Sequence, residues 1–114
     1  MYEYKAKVIS VYDGDTIRIK IDLGFGFSNN GTNGKGMSIR LYGINTPEIR
    51  GDEKVQGKIS RDYLRSRILG KDIVIKTIKD KTGKYGRYLG KIYLNGECIN
   101  DTLVEKGYGV YKTY

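Results

Sequence analysis

Histidine is absent from this sequence, and that absence alone removes a Ser-His-Asp triad, an imidazole general base and an imidazole metal ligand. There is one cysteine, Cys98, so no intramolecular disulfide forms, and one thiol cannot build a zinc site. Any metal ligands here are therefore oxygens, which suit calcium, magnesium or manganese. No apolar run approaches the ~18 residues of a membrane span. The N-terminus, Met1-Tyr2-Glu3-Tyr4-Lys5, lacks an apolar stretch, so the sequence predicts no secretory signal and a cytoplasmic location if residue 1 is the native start. Acidic residues are also in the minority, 13 against 21 Lys and Arg, a formal charge of +8. That balance fits a polyanionic partner such as nucleic acid.

The 114 residues suffice for one domain spanning residues 1–114 and are too few for two. Residues 5–12 read as a strand that ends at the Asp13-Gly14 turn signal. Residues 16–22 alternate, with Ile17, Ile19 and Ile21 on one face and Thr16, Arg18, Lys20 and Asp22 on the other. Residues 24–36 are rich in Gly and Asn and read as a long, mobile connection. A third strand covers 37–44, placing Arg40 opposite Ile39 and Leu41, and Pro47 ends it. Helical spacing follows over 53–69, with Val55, Ile59, Tyr63, Leu64 and Ile68 on one side and Gly70 as the stop. Gly57 in its middle costs about 1 kcal/mol relative to Ala. Strands are predicted over 72–79 and 87–94, the latter ending at the Asn95-Gly96 turn signal. A short helix over about 101–106 is predicted to be capped by Asn100. Three strands, a helix, two strands and a short helix describe an α+β, mostly β protein: a five-stranded OB-fold barrel with one inserted helix and a short C-terminal helix.

Three polar clusters sit at strand ends: Asp13-Gly14-Asp15-Thr16, Arg40 to Glu48 (RLYGINTPE), and Lys84 to Gly90 (KYGRYLG). Taken singly, each has a bland reading as a turn, a proline-terminated strand or a basic hairpin edge. Together, in this order, they resemble the staphylococcal nuclease (thermonuclease) family over about Lys7 to Tyr111. The resemblance implies a calcium-dependent endonuclease acting on single-stranded or frayed DNA and on RNA, breaking the bond to the 5′ oxygen and leaving 3′-phosphates. It implies Asp15, Asn45 and the carbonyl of Thr46 as ligands of Ca2+, with other divalent cations as alternatives. Glu48 would orient or deprotonate the attacking water, and Arg40 and Arg87 would grip the scissile phosphate, as a planar fork of donors suits phosphate oxygens. Lys84 and Tyr85 would bind a terminal phosphate or flanking backbone, and Tyr111 would stack on a base.

The sequence departs from the family pattern in several places. The 24–36 connection is longer by about ten residues. Gly83 stands where Asp is frequent, and the family's longer C-terminal helix is absent. Asn45 stands where the calcium-binding pattern has Asp, which predicts weaker calcium binding because ligand charge controls affinity. It also keeps open a second reading, a catalytically weak or inactive OB-fold module that binds single-stranded nucleic acid.

Overall fold

The structure is a computed structural model that describes residues 2–31, 33–82 and 88–113. Five strands close a barrel: β1 (Tyr2–Asp13), β2 (Thr16–Gly24), β4 (Met37–Leu41), β6 (Asp72–Thr82) and β7 (Tyr88–Leu94). The order β1-β6-β7-β4-β2 returns to β1 through a β1–β2 pairing, so the sheet has no free edge within the barrel. A short β3 (Phe27–Asn29) extends from β2, and β8 (Glu97–Cys98) pairs with β7. β5 (Ile44–Asn45) and β9 (Val110–Tyr111) form a separate two-stranded ladder. A 3-10 turn (Gly51–Glu53) leads into α1 (Lys54–Ile68), and α2 (Ile99–Glu105) follows β8. This is the expected OB-type barrel with its two helices.

The core is aliphatic. Ile17, Ile19, Ile39, Leu41, Ile75 and Ile92 fill the barrel, closed at its ends by Leu64 and Ile68 of α1 and by Ile99 and Leu103 of α2. The period-2 pattern holds along β2 but breaks in β1. Ala6 and Val8 face inward, then Val11 and Asp13 do, with register shifts against β2 between Val8 and Ser10 and again between Val11 and Asp13. A bulge inserts one unpaired residue and changes which face the rest of the strand presents. Here it leaves Ile9 40% exposed and brings Asp13 to 8%.

Four expectations need correction. The buried stripe of α1 is Gly57, Ser60, Leu64 and Ile68, whereas Val55 and Ile59 are exposed. Small residues win this face because backbone presses on it. A Cβ on Gly57 would collide with the carbonyl of Glu48, and the Ser60 hydroxyl donates to the Tyr108 carbonyl at 2.7 Å. The helix cost of Gly57 thus permits a close approach. Second, Asn100 does not cap α2, whose N-cap is Cys98. It lies inside the helix, 1% exposed, accepting from the Ile92 N–H at 3.0 Å and donating to the carbonyls of Tyr42 (2.9 Å) and Gly90 (3.2 Å).

Third, the 24–36 connection is ordered by local chemistry and contains β3. Asp22, Asn29 and Asn33 each accept from the backbone N–H two residues on, the Asx-turn pattern, and the Asn30 amide donates to the Gly34 carbonyl. Fourth, the strand predicted over 37–44 ends at Leu41. A turn at Tyr42-Gly43, with Gly43 at φ 80°, separates it from β5.

Candidate active site

The polar corner is assembled by the β1–β2 turn, the end of β4, β5 and the N-terminal part of α1. Gly14 is essential to its compactness. A Cβ there would stand 2.7 Å from Thr46 Oγ1 and 2.9 Å from Ser60 Cβ, so only glycine lets the turn pack beneath these residues. The Leu41 N–H donates to the Asp15 carbonyl at 2.8 Å, tying β4 to the turn. Asp13 accepts from the Asp15 N–H at 3.1 Å, which fixes the turn from within. Burial, followed by the neighbouring Asp15 charge, raises the Asp13 carboxyl to about 6.

Arg40 lies at the centre. It is 9% exposed, and each terminal nitrogen has partners. Nη1 donates to the Leu41 carbonyl at 2.9 Å. Nη2 lies 2.6 Å from Asn45 Oδ1 and 3.3 Å from Asp15 Oδ2. The same Asp15 Oδ2 accepts from the Thr46 N–H at 3.0 Å. A buried guanidinium held by a carboxylate, an amide oxygen and a carbonyl is fixed in orientation as well as in charge.

The three residues expected to hold a cation thus converge around Arg40. Among the described residues no three His, Cys, Asp or Glu side chains group as a metal cluster. The donors that do meet are one carboxylate, one amide oxygen and the Thr46 backbone, an all-oxygen set of the type calcium accepts. Thr46 Oγ1, buried beside Gly14, has no hydrogen-bond partner, so the corner holds one further oxygen in reserve. The donor chemistry fits a hard cation, with a single formal negative charge from Asp15.

Glu48 is exposed on the segment leaving β5, with its carbonyl packed on Gly57 of α1, so the helix sets where this residue leaves the loop. Tyr111 sits on β9, opposite Ile44 in the ladder; it is 60% exposed, and its hydroxyl donates to Asp101 at 3.2 Å. β9 also places Gly109 against this corner, where a Cβ would stand 2.8 Å from the Asn45 carbonyl. Lys84, Tyr85 and Arg87 lie outside the described residues. The strand that follows them, β7, runs parallel to β4, with Leu89 in register with Arg40. Sequence reasoning missed Asp13 and Gly109 as parts of this corner. The first needed the β1 bulge and the second the β5–β9 ladder, and neither has a local signal.

A closed five-stranded barrel with a buried arginine–carboxylate corner at the β1–β2 turn defines an OB-type domain equipped to meet phosphate. The comparisons with known proteins narrow this class. The family model described as staphylococcal nuclease homologue matches residues 38–114. The sequence is 30% identical over 115 residues to the thermonuclease of Staphylococcus hyicus, covering 98% of this chain and 62% of that protein. It is 29% identical to the thermonuclease of Staphylococcus intermedius, covering 91% of this chain and 57% of that one. It is 33% identical over 81 residues to the staphylococcal-like nuclease CAN1 of Arabidopsis thaliana, covering 71% of this chain and 24% of that protein. The chain belongs to the staphylococcal nuclease homologue family. It spans less than two thirds of the length of each of these relatives.

Proposed function

We propose that this domain is a calcium-dependent endonuclease that hydrolyses phosphodiester bonds of single-stranded or frayed DNA and of RNA, breaking the bond to the 5′ oxygen and leaving 3′-phosphates. The observation that carries this reading is Arg40, a buried guanidinium locked by Asp15, Asn45 and the Leu41 carbonyl at an open corner of the barrel. A cation kept at such a position is suited to the charge that builds on five-coordinate phosphorus. Its bonds to Asp15 and Asn45 hold the fork in place before substrate arrives, so little reorganisation is needed.

Asp15, Asn45 and the Thr46 carbonyl would hold the calcium ion, which when bound supplies positive charge to polarise the phosphate. Glu48 would orient the attacking water and take its proton, since no histidine exists for that task. The water oxygen then bonds to phosphorus as the bond to the 5′ oxygen breaks. Arg87 would share the phosphate with Arg40, a role that rests on the motif Lys84 to Gly90. Lys84, Tyr85 and Tyr111 would hold the flanking backbone and a base. The test is cleavage of single-stranded DNA with calcium and with chelator, beside Arg40→Ala. Calcium-dependent cleavage that falls a hundredfold or more in the variant is expected, the scale of losing one transition-state donor. Salt-sensitive strand binding without cleavage under any divalent cation would instead establish the binding module, with Asn45 as the point where catalysis was lost.

A further inference from the structure

Away from the Arg40 corner, the outer face of the barrel carries an open groove of about 1050 Å³ between β1, β6 and the β2–β3 hairpin. Its charge pattern is unfavourable for the fold alone. Lys7 of β1 stands directly opposite Lys20 of β2, and Lys76 of β6 directly opposite Lys91 of β7. Like charges facing each other across a sheet are destabilising. Lys5 lies two residues from Lys7 on the same face. Carboxylates are present too, as Glu3, Asp22 and Asp72 share this surface. Yet among the described residues none comes within ion-pair distance of these lysines. The walls are aromatic. Phe27 lines the groove at 70% exposure, and the Lys76 ammonium is poised 4.6 Å from the centre of the Tyr93 ring.

The groove is also continuous with the corner. Arg40 pairs with Thr16, and the outward residues of β2 then run Thr16, Arg18, Lys20. Four residues of strand separate Thr16 from Lys20, roughly 13 Å. We propose that this lysine groove is a second binding site for a single-stranded nucleic acid, holding the sugar-phosphate backbone of the strand whose scissile phosphate lies at Arg40. A polyanion neutralises both like-charge pairs at once, and bases have aromatic faces to meet. The choice of nucleic acid as occupant rests on the nuclease reading above, and the site extends it along β2.

The test is binding of a fluorescent strand of about 20 nucleotides, and of a dinucleotide, in chelator, across a salt series. Lys7→Ala/Lys20→Ala and Lys76→Ala/Lys91→Ala are compared with the unaltered protein. Expected is about a tenfold loss of long-strand affinity in each, with a salt slope shallower by about 0.7 for each phosphate that is no longer neutralised. Dinucleotide affinity stays the same, and the thermal midpoint does not fall, because each variant removes a repulsive pair. Unchanged long-strand affinity and salt slope in both variants would overturn the proposal. So would a change in sedimentation without a change in strand binding, which would assign the face to a second copy of the chain. A protein that fails to cleave, yet loses strand affinity in these variants, keeps the groove and discards the nuclease reading. A protein that cleaves, with strand affinity unchanged, does the reverse.

Discussion

The two ends of β2 are built on opposite principles. At its start, Asp15 and Thr16 are buried, and the bonds there reach across the chain: Asp15 to Arg40 and Thr46, Gly14 beneath Thr46 and Ser60. At its end, the hairpin from Asp22 to Gly36 is bonded chiefly to itself, through side chains that accept from backbone two residues on. Leu23, Phe25 and Phe27 stand in solvent, and Phe25 adopts a positive φ of 52°. The first end is rigid because distant elements converge on it. The second holds its shape locally and leaves its surface free. Chemistry needing fixed geometry belongs at the first, and contact with an extended polymer at the second.

Breaking the first end should do the most damage. Arg40→Ala removes the guanidinium and leaves Asp15 with one fewer partner, and the hundredfold loss of cleavage should come with a lower thermal midpoint. Phe25→Ser at the other end should leave both within error, as exposed substitutions stay within about 0.5 kcal/mol. Asn100→Leu should destabilise by about 2–3 kcal/mol in chemical denaturation, since it deprives the Ile92 N–H and two carbonyls of partners in the interior.

A paired glycine experiment sharpens the contrast. Gly57→Ala gains about 1 kcal/mol of helix propensity, yet it should destabilise by about 1–3 kcal/mol overall and weaken cleavage, because the new methyl displaces the Glu48 backbone. Gly26→Ala meets no atom within 4 Å, so it should cost only its backbone strain at φ 78°, about 1 kcal/mol, with cleavage unaffected. Asn45→Asp should tighten calcium binding, measured by calorimetry, by adding a second negative charge beside Asp15; unchanged affinity would remove Asn45 from the ligand set.

The smallest effect is expected remote from both ends. Glu97 links Arg67 (2.9 Å) to Thr102 (2.5 Å), and these bonds lower its carboxyl below the usual 4.5. A lowered acid contributes stability above its unfolded value and loses it as pH falls through the folded one. Glu97→Gln should therefore be slightly less stable than the unaltered protein at neutral pH. The two should converge in acid below about pH 4, as thermal melts across pH would show.

The barrel was legible because Ile17, Ile19 and Ile21 state their face by alternation alone. The corner was partly legible because its residues fall in three compact clusters. What stayed hidden depends on where distant backbone passes. Gly57 and Ser60 look like weak points in a helix until the Glu48 and Tyr108 carbonyls press on them. Asn100 has the composition of a cap, and only the meeting of Tyr42 and Gly90 makes it a buried bridge. The bulge that turns Asp13 inward shows no interruption in the strand's composition. The Gly- and Asn-rich 24–36 stretch reads as a mobile connection, although Asn29, Asn30 and Asn33 each close a turn.

One consequence concerns timing. Asn45 is held in place by Val110 across the β5–β9 ladder, and Gly109 packs on the Asn45 carbonyl. During synthesis every barrel strand leaves the ribosome before β9 does. A nascent chain can therefore complete its barrel while one wall of the Arg40 corner is still missing. For a domain read as a nuclease, growing among the cell's own messages, such a schedule keeps the polypeptide harmless until β9 has joined the fold.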